Sequence, residues 1–176
     1  METETKNLQE CHISPLALDD WEKYKALWLE ALTNSPQAFA YSYQELADRT
    51  DKEWQEKIEG YSAERSKSRM FVAKDKNRFI GMMGFFEKEK GVAKIFGVYV
   101  SPHCRGKHVS DRLMESLLSA LKELDFLEVE LTVNKEQTAA FTCYKRHGFF
   151  VTEEIKDVKM GDGTICDEYV MKREVK

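Results

Sequence analysis

Apolar residues change their spacing several times along the chain, and each change marks an element. Cys11 to Leu18 reads as a short strand. Tyr24, Leu27, Trp28, Ala31 and Leu32 then recur at helical spacing and predict one buried helix stripe, which Pro36 ends. Asp19 to Glu22 and Thr50 to Glu53 both have the form of a capping box, in which a side-chain acceptor and a Glu three residues later serve each other's free amides. The second opens a helix through Trp54 and Ile58 that Gly60 is placed to stop. Met70–Ala73, Phe79–Phe86 and Val92–Val100 are strand-like runs separated by the turn-forming stretches Asp75–Asn77 and Lys88–Gly91, which suggests an antiparallel meander. Leu113, Leu117, Ala120, Leu121 and Leu124 restore a helical stripe. Leu127–Val133 alternates as a strand, Gln137–His147 forms a short helix ended by Gly148, and Phe149–Ile155 and Ile165–Met171 make a last hairpin turned at Gly161–Gly163.

This order predicts an α/β (α+β) domain built on a mixed sheet. At 176 residues the chain is expected to form one domain, with residues 1–10 a polar tail. Its charge of −4 gives no global basic field for nucleic acid, and no apolar run approaches the roughly 18 residues of a membrane span. A polar start unlike a secretory signal points to the cytoplasm. The four cysteines show no zinc spacing, so reduced thiols and no metal are expected.

Two segments carry candidate chemistry. In Gly97–Ser110 a strand runs into a helix through Gly106, with Arg105, Lys107 and Arg112 gathered where the helix begins. A helix N-terminus presents unpaired N–H groups and a positive dipole end, and is therefore a site for phosphate; a basic helix start on a solvated surface would read the same way. Gly97 inside the strand suggests a bulge or a close backbone approach. In the second segment, Leu131–Phe149, Asn134 and Gln137 have the spacing of an N-cap and N3 pair, and Tyr144 fits a core aromatic.

Together these segments resemble the GNAT N-acetyltransferase superfamily. Val100-Ser101-Pro102 followed by Arg105, Gly106 and His108 is similar to its cofactor motif, a V-x-P strand end followed by Q/R-x-x-G-x-G/A. Ala140, Phe141, Tyr144, Gly148 and Phe149 match its N-x-x-A-(apolar)-x-x-Y-x-x-x-G-F helix. The segment Ser35-Pro36-Gln37-Ala38-Phe39 also looks like bacterial members. His103, His108 and Gln137 depart from the motifs, standing where Gln or Arg, Gly or Ala, and Asn are usual.

The resemblance implies a splayed strand pair that holds acetyl-CoA, and transfer of its acetyl group to an amine by direct attack. It implies cofactor contacts from Val98, Tyr99, Val100, Arg105, Gly106, Lys107, His108, Val109, Ser110, Asn134, Gln137 and Tyr144, with Tyr144 the general acid. Phe39, Tyr43 and Glu45, with Tyr41, are candidates for the acceptor side, and Glu130 for the base. The expected partner is a small-molecule amine or a peptide acceptor, with no nucleic acid and no membrane; a homodimer is compatible with the sequence. Acetylation of a protein N-terminus or lysine, and a non-catalytic CoA-binding module, are the alternatives.

Overall fold

The computed structural model describes residues 11–62 and 67–176; the expected tail over residues 1–10 lies outside them. A seven-stranded sheet runs in the order β1-β2-β3-β4-β5-β7-β6. Its strands are β1 (His12–Pro15), β2 (Arg69–Asp75), β3 (Arg78–Glu89), β4 (Val92–Val100), β5 (Glu128–Asn134), β6 (Phe150–Lys159) and β7 (Ile165–Glu174). All neighbours are antiparallel except β4 and β5. The predicted meander is β2-β3-β4, turned where Lys76 (φ 53°) and Gly91 (φ 80°) adopt the left-handed conformation that tight turns require.

The helices are α1 (Trp21–Asn34), α2 (Tyr43–Ala47), α3 (Asp51–Ser62), α4 (Val109–Glu123) and α5 (Thr138–Arg146). They lie on both faces of the sheet, which explains why β2 and β3 read as nearly continuous apolar runs. On β2, Met70 and Val72 face a core with Tyr24, Leu27, Trp28 and Trp54 of α1 and α3. Phe71 and Ala73 face the opposite core, with Leu113, Leu117 and Leu121 of α4.

Two local expectations change, and a third holds. The Asp19–Glu22 box does not form: Asp19 and Asp20 lie in a 3-10 turn, Leu18–Asp20, and Asp20 makes no cap bond. Its backbone (φ −90°, ψ 13°) is not the extended form that aims a capping side chain back at the helix, and its carboxylate bonds Lys23 (3.2 Å) and Lys74 (3.1 Å) instead. The Thr50–Glu53 box does form, with Glu53 N–H on Thr50 Oγ1 (3.3 Å) and Thr50 N–H on Glu53 Oε2 (2.7 Å). Gly60 does not stop α3, which continues to Ser62; glycine lowers helix propensity by only about 1 kcal/mol, and packing of Trp54 and Ile58 outweighs that.

Candidate active site

The parallel β4–β5 ladder pairs only Val92–Lys94 with Glu128–Glu130. Beyond it the strands part, β4 continuing on β3 to Val100 and β5 on β7 to Asn134. A bulge helps to aim β4: two steps on β3 (Met82 to Gly84) match three on β4 (Tyr99 to Phe96). Gly97 sits inside it at φ 62°, where a Cβ would approach Trp28 Cζ2 to 3.1 Å. The bulge anticipated at Gly97 is therefore present. Ser101 donates its N–H to Ile80 of β3 at 2.8 Å. Backbone groups alternate edges along a strand, so those of Val98 and Val100 face the gap. The Val100 carbonyl accepts from Arg105 Nε at 3.1 Å.

The gap leads to the start of α4. After the 3-10 turn Pro102–Cys104 the chain passes Gly106 at φ 72° and His108 at φ 59°, and α4 begins at Val109. Glycine adopts such angles freely; a histidine there is strained by about 1–2 kcal/mol. The first α4 backbone bond joins Arg112 N–H to His108 C=O (3.1 Å), which leaves the earlier amides without helical partners. Arg105 is tied to Ser35 Oγ (3.3 Å) as well as to Val100, and Lys107 and Arg112 are exposed nearby.

A cleft of about 540 Å³ joins these parts. Val98, Tyr99, Val100, Arg105, Gly106, His108, Val109 and Ser110 line one side, Gln137 and Tyr144 of the α5 segment the other, and Phe39 the far end. The Tyr99 side chain turns away, its hydroxyl accepting from Asn34 and donating to Glu30, both at 3.0 Å. Lys107, Asn134, Tyr43 and Glu45 are not among the lining residues. Asn134 and Gln137 do not form a cap pair. Gln137 itself precedes α5 without a side-chain cap bond, while Asn134 Oδ1 accepts from Glu136 N–H (2.9 Å) in a two-residue turn. Glu45 closes a capping box on α2, with Ser42 N–H on its carboxylate at 2.6 Å; the S-x-x-E spacing of Ser42 and Glu45 carries this signal in the sequence.

Tyr144 is 5% exposed, and burial, reinforced by Cys143, pushes its phenol well above its ordinary pKa. Its hydroxyl has no hydrogen-bond partner among the described residues. Burial also raises the thiols of Cys104 and Cys143 in the cleft wall, which keeps them protonated. Glu130 is absent from the lining. Burial opposes its ionisation, but Lys88 at 2.8 Å, with Lys94 and Lys172 near it, prevails and holds the carboxyl below its ordinary pKa. A carboxylate stabilised in this way is a poor proton acceptor.

The sequence reading missed Asp111, in the first turn of α4. Its Oδ1 lies 2.6 Å from Arg146 Nη2 and 2.8 Å from His147 Nε2, and its Oδ2 lies 2.9 Å from His108 Nδ1. Burial opposes its charge, yet bonds from Arg146, His108 and His147 hold the carboxyl far below its ordinary pKa. Ligand atoms of Asp111, Cys143 and His147 converge within 4.8 Å, a grouping that sequence spacing does not reveal. Arg146 already occupies the carboxylate oxygen on that side.

The acetyltransferase (GNAT) family profile matches residues 22–149, most of the chain, and the protein belongs to that family. A search of the curated proteins finds no match. Solved structures agree on the fold. A GNAT-family acetyltransferase from Streptococcus pneumoniae superposes with a TM-score of 0.83 at 15% identity, covering 95% of this chain and 100% of that one. A protein from Salmonella typhimurium solved with its cofactor acetyl-CoA gives 0.80 at 15% identity, with 96% and 95% covered. A phosphinothricin acetyltransferase from Sinorhizobium meliloti, in complex with acetyl-CoA, gives 0.79 at 16% identity, with 94% and 88% covered. Among the described residues no helix is long and apolar enough to cross a membrane.

Proposed function

We propose that this family member transfers the acetyl group of acetyl-CoA to a primary amine. The observation that carries the reading is the free edge of β4, which runs along the gap from the bulge at Gly97 to the uncapped amides of α4 and faces an unpartnered phenol. The fit can be judged from the chain's own groups. Backbone groups at Val98 and the Val100 N–H suit the amides of a pantetheine arm, which would add to the sheet edge as an extra strand. The α4 amides and the Arg105 and Lys107 charges suit a pyrophosphate. Gly106 has nothing within 4 Å of the Cβ position, so a ligand can approach its backbone closely.

When bound, acetyl-CoA supplies a thioester carbonyl that an amine can attack directly. The protein then has two proton problems. An alkyl ammonium, pKa roughly 10, must shed a proton, and a departing thiolate, pKa roughly 8.5, leaves more readily if protonated. Tyr144 is the candidate for the second: burial keeps its hydroxyl protonated across the neutral range, so it can hydrogen-bond to the departing sulfur as charge develops there. Phe39 walls the acceptor end with Ser35 and Gln37. It is held against Trp28 with ring centroids 5.3 Å apart, while Tyr41 packs on the same Trp28 at 6.4 Å.

The test is Tyr144→Phe, which keeps the ring and removes the donor. A screen of amines identifies an active acceptor, and the variant is then assayed on it. We expect wild-type affinity for acetyl-CoA and a fall of roughly 10²–10⁴-fold in kcat and kcat/KM together. A change below threefold removes Tyr144 from the chemistry.

A further inference from the structure

The phosphate reading so far uses one wall of the cleft, the loop and helix start of α4. The opposite wall carries Arg146, at the C-terminal end of α5, and it also lines the cleft. Arg146 is held there by a carboxylate from across the gap: Nε and Nη2 both meet Asp111 Oδ1, at 3.2 and 2.6 Å. That carboxylate is itself fixed on both sides. His147 takes Oδ1, and His108 takes Oδ2 from a left-handed backbone that a histidine adopts only under constraint. A lone acidic side chain beside a phosphate subsite would repel the ligand; one that organises an arginine presents the opposite sign. Arginine has five donors, and Asp111 engages two of them.

We infer that Asp111 is a positioning residue for the donor's phosphates: it draws Arg146 across from α5 so that the guanidinium forms a second, cationic wall facing the α4 amides. This rests on the reading of the cleft as the acetyl-CoA site. His108 also meets this carboxylate, on Oδ2, but Arg146 and His147 hold Oδ1 without that contact.

The two accounts of Asp111 predict opposite signs. If Asp111 acts only as a negative charge near the ligand, Asp111→Asn tightens CoA binding. If it positions Arg146, the same substitution weakens it, by about five- to twentyfold for a partly exposed charge-assisted contact. Calorimetry with CoA on wild type, Asp111→Asn, Arg146→Gln and the double variant decides. We expect each single change to weaken CoA, the double to be no weaker than Arg146→Gln alone, and both singles to flatten the fall of affinity with salt. Arg146 is exposed, so its variant reports even if Asp111→Asn folds poorly. Equal or tighter CoA binding by Asp111→Asn, additive losses, or an unchanged salt dependence in Arg146→Gln overturns the inference. A wild-type protein that does not bind CoA at all refutes the cleft reading instead.

Discussion

Replacing Gly106 tests the phosphate site most directly, because the structure separates two consequences of adding a side chain there. Gly106 has φ 72°, and nothing lies within 4 Å of the Cβ position. A new Cβ therefore meets no protein atom, and the shared effect of either side chain on folding is backbone strain of about 1–2 kcal/mol. Gln and Glu share that strain and nearly share shape. They differ in one negative charge beside the α4 amides. A unit charge about 5 Å from a phosphate charge is repelled by roughly 1–3 kcal/mol for an effective dielectric between those of water and protein surface. Gly106→Glu should therefore bind CoA roughly fivefold to 150-fold more weakly than Gly106→Gln. Urea unfolding should show the two variants equally destabilised, and calorimetry at low and high salt should show their affinity gap narrowing as salt screens it. Equal CoA affinity for the Gln and Glu variants at low salt would refute the placement of phosphate at this loop.

His108→Gly should relieve left-handed strain of about 1–2 kcal/mol against the loss of one exposed bond to Asp111 worth up to about 1 kcal/mol. A small gain in urea stability should follow, with CoA affinity equal or better, because Asp111 keeps its α5 partners; a tenfold loss makes the imidazole a ligand. Gly161→Ala should destabilise the fold by about 1–3 kcal/mol, since its Cβ would lie 2.1 Å from the Tyr41 backbone carbon. By displacing the Phe39–Ser42 segment it should raise acceptor KM and spare CoA affinity; an unchanged acceptor KM sinks that link. Glu130→Gln should lower stability at pH 7. The folded carboxyl sits below its ordinary pKa, so its contribution is present above that value and fades as pH falls through the folded one. The gap between wild type and variant should shrink below about pH 4; a constant gap counts against the lysine cluster as its cause.

Elements with a clean period were legible in the sequence. The α1 and α4 stripes follow from side-chain spacing because each helix buries one face, while the β2-β3-β4 meander and the β6-β7 hairpin follow from strand-like runs bounded by turn residues. The bulge at Gly97 was legible too, since glycine within a strand has few other uses. Where the sequence misled, two partners competed for one group. Asp20 is spaced to cap α1, but Lys74, 54 residues away, lies within reach of its carboxylate, and no local rule includes Lys74. Glu45, a candidate for the acceptor side, has its carboxylate engaged by the Ser42 N–H in the α2 capping box. The Asp111–Arg146 contact spans 35 residues and joins the first turn of α4 to the last turn of α5. Neither residue belongs to a motif, so only the folded geometry brings them together.

The three-residue β4–β5 ladder also leaves a mark on local opening. Strands β1–β4 carry α4, while β5, β7 and β6 form a second block whose strand-to-strand ladder meets the first only at Val92–Lys94. Amide exchange should therefore follow a comb pattern along one strand. Ser101, bonded to Ile80, should exchange slowly, while Val98 and Val100, facing the gap, should exchange fast although both lie in β4. A molecule laid into the gap would slow these exposed teeth and bind the two blocks into one cooperative unit, so that its arrival is recorded as protection spreading across the seam.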